Sequence, residues 1–279
     1  MTRMYVMIPD LSKTAVDAHF HVFEAHQAQP GARYTPAYAA PLSAWQAAAR
    51  PLGVRRGVLV QTSFMGTDNR LLLDTLAMHP DTLRGIAVVA PSADEQTLAP
   101  LHAAGVRGIR LNLAGVSHDM TAWSAASALW DALLALGWHL ELHTDTGRLP
   151  GVLAQLPAAL PLVVDHMGKP GAVSAGDATV RALVARAQLA PVHIKLSGAY
   201  RLGGLDAGAL ARLCLAELGP QRLLWGSDWP CTNHEARADY PALRRALDDW
   251  LGDAAATTAA LVTNPNHLYW DQGAKISPD

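Results

Sequence analysis

The strongest constraint on the fold is a repeat in which a short apolar segment alternates with a segment of helical character. Each apolar segment has the length of a strand and is followed by a polar loop and a helical stretch. Continuous apolar runs are typical of strands buried on both faces, and their alternation with helices indicates parallel β-α units. The predicted strands cover residues 16–22, 57–61, 85–89, 108–112, 138–143, 162–166, 192–197 and 222–228. Eight such units in about 250 residues predict a distorted (β/α)8 TIM barrel.

An open, doubly wound sheet is the main alternative for this repeat. The Gly-x-Gly-x-x-Gly motif of dinucleotide-binding sheets follows none of the early strands, which favours the barrel. No stretch has the composition of a linker, and we predict that residues 1–279 form a single domain.

Composition excludes several classes of function. The net charge of −2 is spread along the chain, so no basic face indicates nucleic-acid binding. No apolar run approaches the length of a membrane span, and residues 1–13 lack the continuous apolar core of a signal peptide. Cys214 and Cys231 have no metal or disulfide spacing, which fits a reducing compartment. We therefore expect a cytoplasmic protein that binds neither nucleic acid nor membrane.

Polar residues gather at the carboxyl ends of the predicted strands, whereas the strand starts hold Gly, Val, Leu and Pro. In a barrel of this kind the carboxyl ends form the active-site face. Converging polar groups therefore predict a catalytic mouth; the alternative is a chance set of buried polar residues. The residues concerned are His19, His21, Gln61, Ser63, Arg110, Asn112, Glu141, His143, Asp165, His166, Lys195, Ser197 and Asp228.

The first strand carries the sequence Asp17-Ala-His-Phe-His21. Side chains alternate along a strand, so Asp17, His19 and His21 are expected on one face. With His143 and Asp228, the two histidines supply three imidazoles and a carboxylate, a set that suits one divalent ion such as zinc. His166 is expected beside them. The alternative is that these groups hydrogen-bond to one another and to the substrate without an ion.

Asp228 is the candidate general base, within Trp225-Gly-Ser-Asp-Trp-Pro230. Flanking tryptophans are expected to remove water from the carboxylate and raise its pKa. The alternative role is an ion pair with a nearby histidine. Three cations, Arg110, Lys169 and Arg201, lie at or just beyond strand ends and can recognise substrate carboxylates. The alternative for Lys169 and Arg201, which lie in loops, is that they are exposed surface charges.

Several motifs together resemble the amidohydrolase superfamily, in its amidohydrolase-2 branch, and within it the sugar-lactone and 2-pyrone-4,6-dicarboxylate lactonases. The resemblance covers nearly the whole chain. Its motifs are Asp17-Ala-His-Phe-His21, Arg33-Tyr-Thr-Pro36, Val60-Gln-Thr-Ser-Phe-Met-Gly-Thr-Asp-Asn69, Gly105-Val-Arg-Gly-Ile-Arg110, Val164-Asp-His-Met-Gly-Lys-Pro170, Lys195-Leu-Ser-Gly198 and Leu224-Trp-Gly-Ser-Asp-Trp-Pro230.

The resemblance implies a hydrolase of carboxylic ester bonds that opens a small lactone. Asp228 would activate water, while His19, His21 and His166 would surround the lactone carbonyl. The substrate-binding residues implied by the resemblance, together with our own additions, are Ser63, Arg110, Lys169, Arg201, Tyr34 and His143. Lactonases of the dicarboxylate type work without a metal, so the expected cofactor is either none or one divalent metal, with zinc preferred.

Two positions depart from the dicarboxylate lactonase pattern. The segment Leu111-Asn-Leu-Ala-Gly-Val-Ser117 has no counterpart of its second arginine, which weakens the case for a doubly charged substrate. The strand of the dicarboxylate lactonase that resembles the one with His143 contains a tyrosine. A histidine at this position restores the fifth-strand ligand that metal-dependent relatives use.

Two other functions remain open at this point. One is a decarboxylase resembling the aminocarboxymuconate semialdehyde enzymes, in which a metal on His19, His21, His143 and Asp228 would be obligatory. The other is a barrel without catalysis, which predicts gaps in the polar constellation, and the sequence has none. The expected partner is a small lactone, and the chain is expected to be a monomer or a homodimer.

Overall fold

The computed structural model of the protein describes residues 13–237 and 239–271. Eight parallel strands, β1 to β8, form one sheet in chain order, and β1 and β8 approach each other through a bridge between Phe20 and Trp229. The predicted (β/α)8 TIM barrel is therefore confirmed. The strands are Ala15–Phe20, Val54–Val60, Leu83–Ala87, Val106–Asn112, His139–His143, Leu162–Val164, Val192–Leu196 and Leu223–Trp225.

Helices connect the strands and cover the outside of the barrel. Several begin at an aspartate whose side chain accepts a backbone N–H of the first turn, as Asp94, Asp177 and Asp206 do. The α-helices, α1 to α10, are Leu42–Ala49, Arg70–Met78, Glu95–Ala103, Ser127–Ala135, Leu149–Leu153, Ala178–Ala187, Ala207–Leu218, Tyr240–Leu251, Ala254–Thr258 and Asn264–Tyr269. A π-helical turn, Ala259–Thr263, joins the last two. Among the described residues, no helix is long and apolar enough to cross a membrane.

The apolar core has two layers, one inside the barrel and one between the sheet and the helices. Residues of β1, β2, β3, β6 and β8 form the inner cluster, which α10 closes with Tyr269. The outer cluster is much larger and includes Phe20 and Leu59 together with residues of most helices. The inner cluster is Val16, Ala18, Val58, Val60, Ile86, Val163, Leu224 and Tyr269. This cluster fills the amino-terminal part of the barrel interior. The polar residues at the carboxyl ends of the strands therefore lie above it.

A bulge in β1 changes which side chains face the barrel interior. Asp17 pairs with Gly57 and Phe20 with Leu59, so three steps in β1 match two in β2. The extra residue places His19 inside the barrel, whereas Asp17 points outward and accepts hydrogen bonds from Trp45 in α1 and from Tyr240 in α8. The prediction that Asp17 shares a face with His19 and His21 is therefore wrong.

Gly226, directly after β8, allows the segment that follows the last strand to pack closely against the end of β1. A Cβ at this position would lie 2.6 Å from the Cβ of His19 and 3.1 Å from its backbone nitrogen. The backbone nitrogen of Asp228 then donates to the carbonyl of His19 (2.9 Å), and that of His21 donates to the carbonyl of Trp229 (2.9 Å). These contacts hold the segment with Asp228 against β1.

Candidate active site

A cavity of about 200 Å³ opens at the carboxyl ends of the strands, where the sequence predicts a catalytic mouth. All predicted catalytic and substrate-binding residues except His19 and Lys169 line it, whereas five other polar residues at the predicted strand ends do not: Gln61, Glu141, Asp165, Lys195 and Ser197. His19 lies directly beneath His21, and Lys169 lies 4.0 Å from the carboxylate of Asp145. The lining residues are His21, Arg33, Tyr34, Thr62, Ser63, Arg110, Asn112, Ala114, His143, His166, Arg201, Asp228, Thr232 and Asn233.

Asp228 is buried, and its two carboxylate oxygens have different surroundings. Oδ2 accepts hydrogen bonds from the Tyr200 hydroxyl and from Arg201 Nε, each at 2.7 Å. Oδ1 lies 3.5 Å from His19 Nε2 and 3.4 Å from His21 Nε2. The backbone of Asp228 has a φ of 57°, in the left-handed region that costs a non-glycine residue about 1–3 kcal/mol. The fold therefore fixes one oxygen and directs the other towards the histidines.

The pKa of Asp228 is lower than the sequence suggests. Burial raises it, but the neighbouring Arg201 and His166 outweigh burial and hold it well below the ordinary value. Trp225 does not control this carboxylate, because it packs against Tyr240 in the outer layer. The predicted rise in the pKa of Asp228 is therefore wrong, and the group is ionised at neutral pH.

His19 and His21 form an edge-to-face pair whose Nε2 atoms are 3.3 Å apart. His21 Nδ1 donates to the carbonyl of Val60 (2.7 Å), because a carbonyl can only accept. In the neutral ring, His21 Nε2 is then a free acceptor. It faces His19 and the Oδ1 atom of Asp228.

Three atoms of this group fit a tetrahedral zinc ion. His19 Nε2, His21 Nε2 and Asp228 Oδ1 form a triangle with edges of 3.3, 3.4 and 3.5 Å. Ligands bound to zinc at about 2.0–2.2 Å in a tetrahedron lie about 3.3–3.6 Å apart. A second candidate group is His19 with Asp165 and His166. His143 belongs to neither group of the described residues, so its place in a metal site stays a prediction.

A second, deeper set of charges lies beneath the histidine pair, inside the barrel. Lys195 is fully buried, and its ammonium group contacts the Glu141 carboxylate and lies 3.0 Å from His19 Nδ1. Arg110 donates from Nε (3.0 Å) and Nη2 (2.9 Å) to one oxygen of Asp165, whose other oxygen is 3.1 Å from His19 Nδ1. Burial and the Asp165 carboxylate raise the pKa of Glu141, and the ammonium group of Lys195 and the guanidinium of Arg110 oppose that rise. Lys195, Glu141 and Asp165 contact His19 on the side away from the cavity, and Arg110, which lines the cavity, holds Asp165 in place.

His166 and His143 form the wall opposite the histidine pair. His166 Nδ1 is hydrogen-bonded to Ser197 Oγ (2.9 Å), and burial lowers its pKa to about 4, so the ring is neutral at neutral pH. A Cβ at Gly198 would lie 2.5 Å from His166 Nδ1, so a glycine is needed for this approach. His143 packs edge-on against His166, and both of its nitrogens are buried without a hydrogen-bond partner among the described residues. Such nitrogens are available to a ligand.

Sequence reasoning assigned no role to two groups of residues at the candidate site. Arg33 and Tyr200 line or support the site, and each is the neighbour of a predicted residue, Tyr34 or Arg201. Glu141, Asp165 and Lys195 were recognised as polar strand residues without a role. The available signal was a charged residue alternating with leucine or isoleucine in a buried strand, as in the segment 192–196. Such charges require partners inside the barrel.

Comparisons with known proteins give matches that cover most of this chain. The amidohydrolase family model matches residues 16–269. The 2-pyrone-4,6-dicarboxylate hydrolase of Comamonas testosteroni is 33% identical, and the match covers 92% of this chain and 90% of the relative. The 4-sulfomuconolactone hydrolase of Rhizobium radiobacter is 30% identical, with 93% and 91% covered. A solved structure from Pseudomonas putida, provisionally described as a 2-pyrone-4,6-dicarboxylic acid hydrolase, is 34% identical with a TM-score of 0.80, and 92% and 97% of the two chains are covered.

Proposed function

The chain belongs to the amidohydrolase family, and we propose that it hydrolyses the ester bond of a small lactone. One observation carries this proposal: an ionised carboxylate, Asp228, has one oxygen fixed and the other directed into a histidine-lined cavity. A lactonase needs a base for water and hydrogen-bond donors for the carbonyl oxygen. Both are present in this cavity.

Asp228 is the proposed general base. Its Oδ1 accepts a proton from a water molecule as the water oxygen attacks the lactone carbonyl. The same proton then passes to the ring oxygen when the carbon–oxygen bond breaks, which gives the open hydroxy acid. Tyr200 and Arg201 keep the carboxylate in place through Oδ2 during both transfers.

His19, His21 and His166 are the proposed groups around the lactone carbonyl. His166 is neutral at neutral pH and faces the cavity, where a ring N–H can donate to the developing oxyanion. Ser63, Arg110, Arg201, Tyr34 and His143 are proposed to contact the substrate, as predicted from the sequence. Lys169 is also retained as a substrate residue by proposal, although it does not line the cavity.

The metal content of the site depends on one proton of His19. If Lys195 donates to Nδ1, then Nε2 carries the proton and faces His21 Nε2 and Asp228 Oδ1 as a donor. If Nδ1 donates to Asp165, Nε2 is free to bind zinc together with His21 and Asp228. Bound zinc would act as a Lewis acid on the carbonyl. We propose zinc as the preferred ion, and metal analysis of protein purified without chelator will show either about one ion per chain or none.

The test of the function is proton release, followed with a pH indicator, across five- and six-membered lactones and pyrone carboxylates. Asp228→Asn should lower kcat by about 10²–10⁴-fold while the circular dichroism spectrum stays unchanged. Full activity of this variant would remove Asp228 as the base. No proton release from any lactone, with folded protein and added zinc, would refute the lactonase.

The relatives do not favour the decarboxylase alternative, because those with high identity are named as hydrolases of pyrone and lactone rings.

A cytoplasmic location is proposed from the two unpaired, buried cysteines, Cys214 and Cys231. A single domain and a monomer or homodimer are retained as proposals from the sequence.

A further inference from the structure

Three arginines line the cavity, and two of them are already neutralised by the protein. Arg110 is bound through two nitrogens to Asp165, and Arg201 is bound to Asp228. Both pairs are largely buried. A guanidinium that faces its own carboxylate at such distances has little charge left for a substrate anion. These two residues therefore do not supply two free cationic sites.

Arg33 is different because its only hydrogen-bonded partner among the described residues is a neutral hydroxyl. Its Nη2 donates to Ser63 Oγ at 3.2 Å, and no carboxylate of residues 13–237 and 239–271 lies within 4.0 Å of its guanidinium. The side chain is exposed at the cavity mouth, so water solvates its charge and the desolvation cost is small. It is the cation of the cavity wall that a substrate anion can reach without displacing a protein carboxylate.

The loop that carries Arg33 is fixed over the mouth of the barrel. Gln29 donates its backbone N–H to the carbonyl of Phe64 (2.8 Å), and the Tyr34 ring packs on the ring of Phe64. Arg33 also reaches the loop after β4, since a Cβ on Gly115 would lie 3.4 Å from Arg33 Nη1. That loop, residues 113–120, has no lysine or arginine of its own. Arg33 therefore places a guanidinium beside this loop.

We propose that Arg33 and Ser63 bind a single anionic oxygen group, a carboxylate or a sulfonate, on the ring of the lactone. A planar guanidinium beside a hydroxyl matches an anion that offers two or three oxygens. The proposal rests on the proposed lactonase function and adds two points to it: the identity of the residue that reads the charge, and a preference for one anionic substituent over two.

The experiment compares γ-butyrolactones that carry a β-carboxylate, a β-sulfonate or a neutral β-carboxamide, with 2-pyrone-4,6-dicarboxylate as the dianion. In Arg33→Met, the ratio of kcat/KM for an anionic lactone to that for the carboxamide should fall about 10- to 100-fold, mainly through KM. Arg33→Lys should recover part of the ratio. Arg245→Met, at an exposed arginine of α8, is the matched control and should leave the ratio unchanged. The carboxylate and sulfonate arms show which oxyanion is read.

Binding is measured separately with the matching cyclic ethers, which cannot be hydrolysed, so the result does not depend on turnover. The anionic ethers should bind about tenfold or more weakly to Arg33→Met, and added salt should weaken their binding to the wild type more than to the variant. Equal effects of Arg33→Met on anionic and neutral compounds would overturn the proposal while the lactonase stands. Tighter binding of the dianion than of the monoanion would overturn the single-anion preference. Turnover of no lactone would refute the function itself, and the binding arm would still decide the role of Arg33.

Discussion

Replacement of Lys195 by methionine tests whether the charges beneath the histidine pair act as one unit. Lys195 is fully buried in β7, where its ammonium group contacts Glu141 and lies 3.5 Å from Asp165. Methionine keeps most of the volume of the side chain but removes the charge. The two carboxylates then share Arg110 as their remaining neighbouring cation within 4.0 Å among the described residues, apart from the ring of His19.

The magnitude follows from burial. Removal of one partner from a buried ion pair costs about 3–5 kcal/mol, because it leaves an uncompensated charge in a medium of low dielectric constant. An exposed pair contributes at most about 1 kcal/mol. Arg70→Met is therefore a suitable control, since the exposed side chain of Arg70 pairs with Asp68 at the surface. We expect Lys195→Met to cost at least three times as much as Arg70→Met.

A double-mutant cycle separates the ion pair from simple loss of contacts. Glu141→Gln removes the carboxylate charge without changing the shape of the side chain, and the double variant removes both charges of the pair. If the charges compensate each other, the double variant should be less destabilised than the sum of the two single variants, by about 1–3 kcal/mol. Additive costs would contradict this reasoning.

The assay is urea unfolding followed by tryptophan fluorescence, with comparison of variants at equal slope. Eight tryptophans report on the barrel and its outer layer. The cost of Lys195→Met should not change with added salt, because salt screens buried pairs weakly. A cost below about 1 kcal/mol would refute the view that Lys195 is part of a compensated buried network.

Two further predictions concern close packing and pH. Gly226→Ala should destabilise the protein by about 1–3 kcal/mol and lower activity, because the new Cβ would lie 2.6 Å from the Cβ of His19; Gly151→Ala in α5, where the surrounding space is open, is the control. Equal stability of these two variants, measured by thermal unfolding, would contradict the steric argument. Stability should fall as the pH drops from about 6.5 towards 4, because burial and Arg222 lower the pKa of His193 to about 4 and only the unfolded chain then takes up the proton. His193→Gln should reduce this dependence by up to about 1.4 kcal/mol per pH unit in urea unfolding, and an unchanged slope would exclude His193 as a contributor.

The fold was predictable because apolar runs and helical stretches alternate without interruption, and each of the predicted strands is present. The site was predictable to the level of strand ends, since parallel strands bring their carboxyl ends to one face. The direction of individual side chains was not. Asp17 is turned outward by a bulge, and a bulge is defined by the pairing of β1 with β2, which the period of β1 alone does not contain.

The charge state of the site was beyond local reasoning for a similar cause. The tryptophans beside Asp228 in the sequence suggest a raised pKa, but Arg201, which is 27 positions away, lies 2.7 Å from its carboxylate and lowers the pKa instead. No role for Arg33 was predicted from the sequence, because its proposed role depends on the absence of a nearby carboxylate among the described residues. Contacts between loops that follow different strands decide both cases.

Because Asp17 points outward, β1 makes polar contacts both with the outer helical layer and with the barrel interior. Asp17 accepts hydrogen bonds from the backbone N–H (2.9 Å) and the hydroxyl (2.6 Å) of Ser227, and from Trp45 in the helical layer. Ser227 immediately precedes Asp228, whose own N–H donates to the carbonyl of His19. The bulge thus lets one strand hold the segment of the proposed base from outside while it presents His19 to the same carboxylate from inside. The distance between the proposed base and His19 is consequently controlled by Asp17 and Ser227, neither of which lines the cavity.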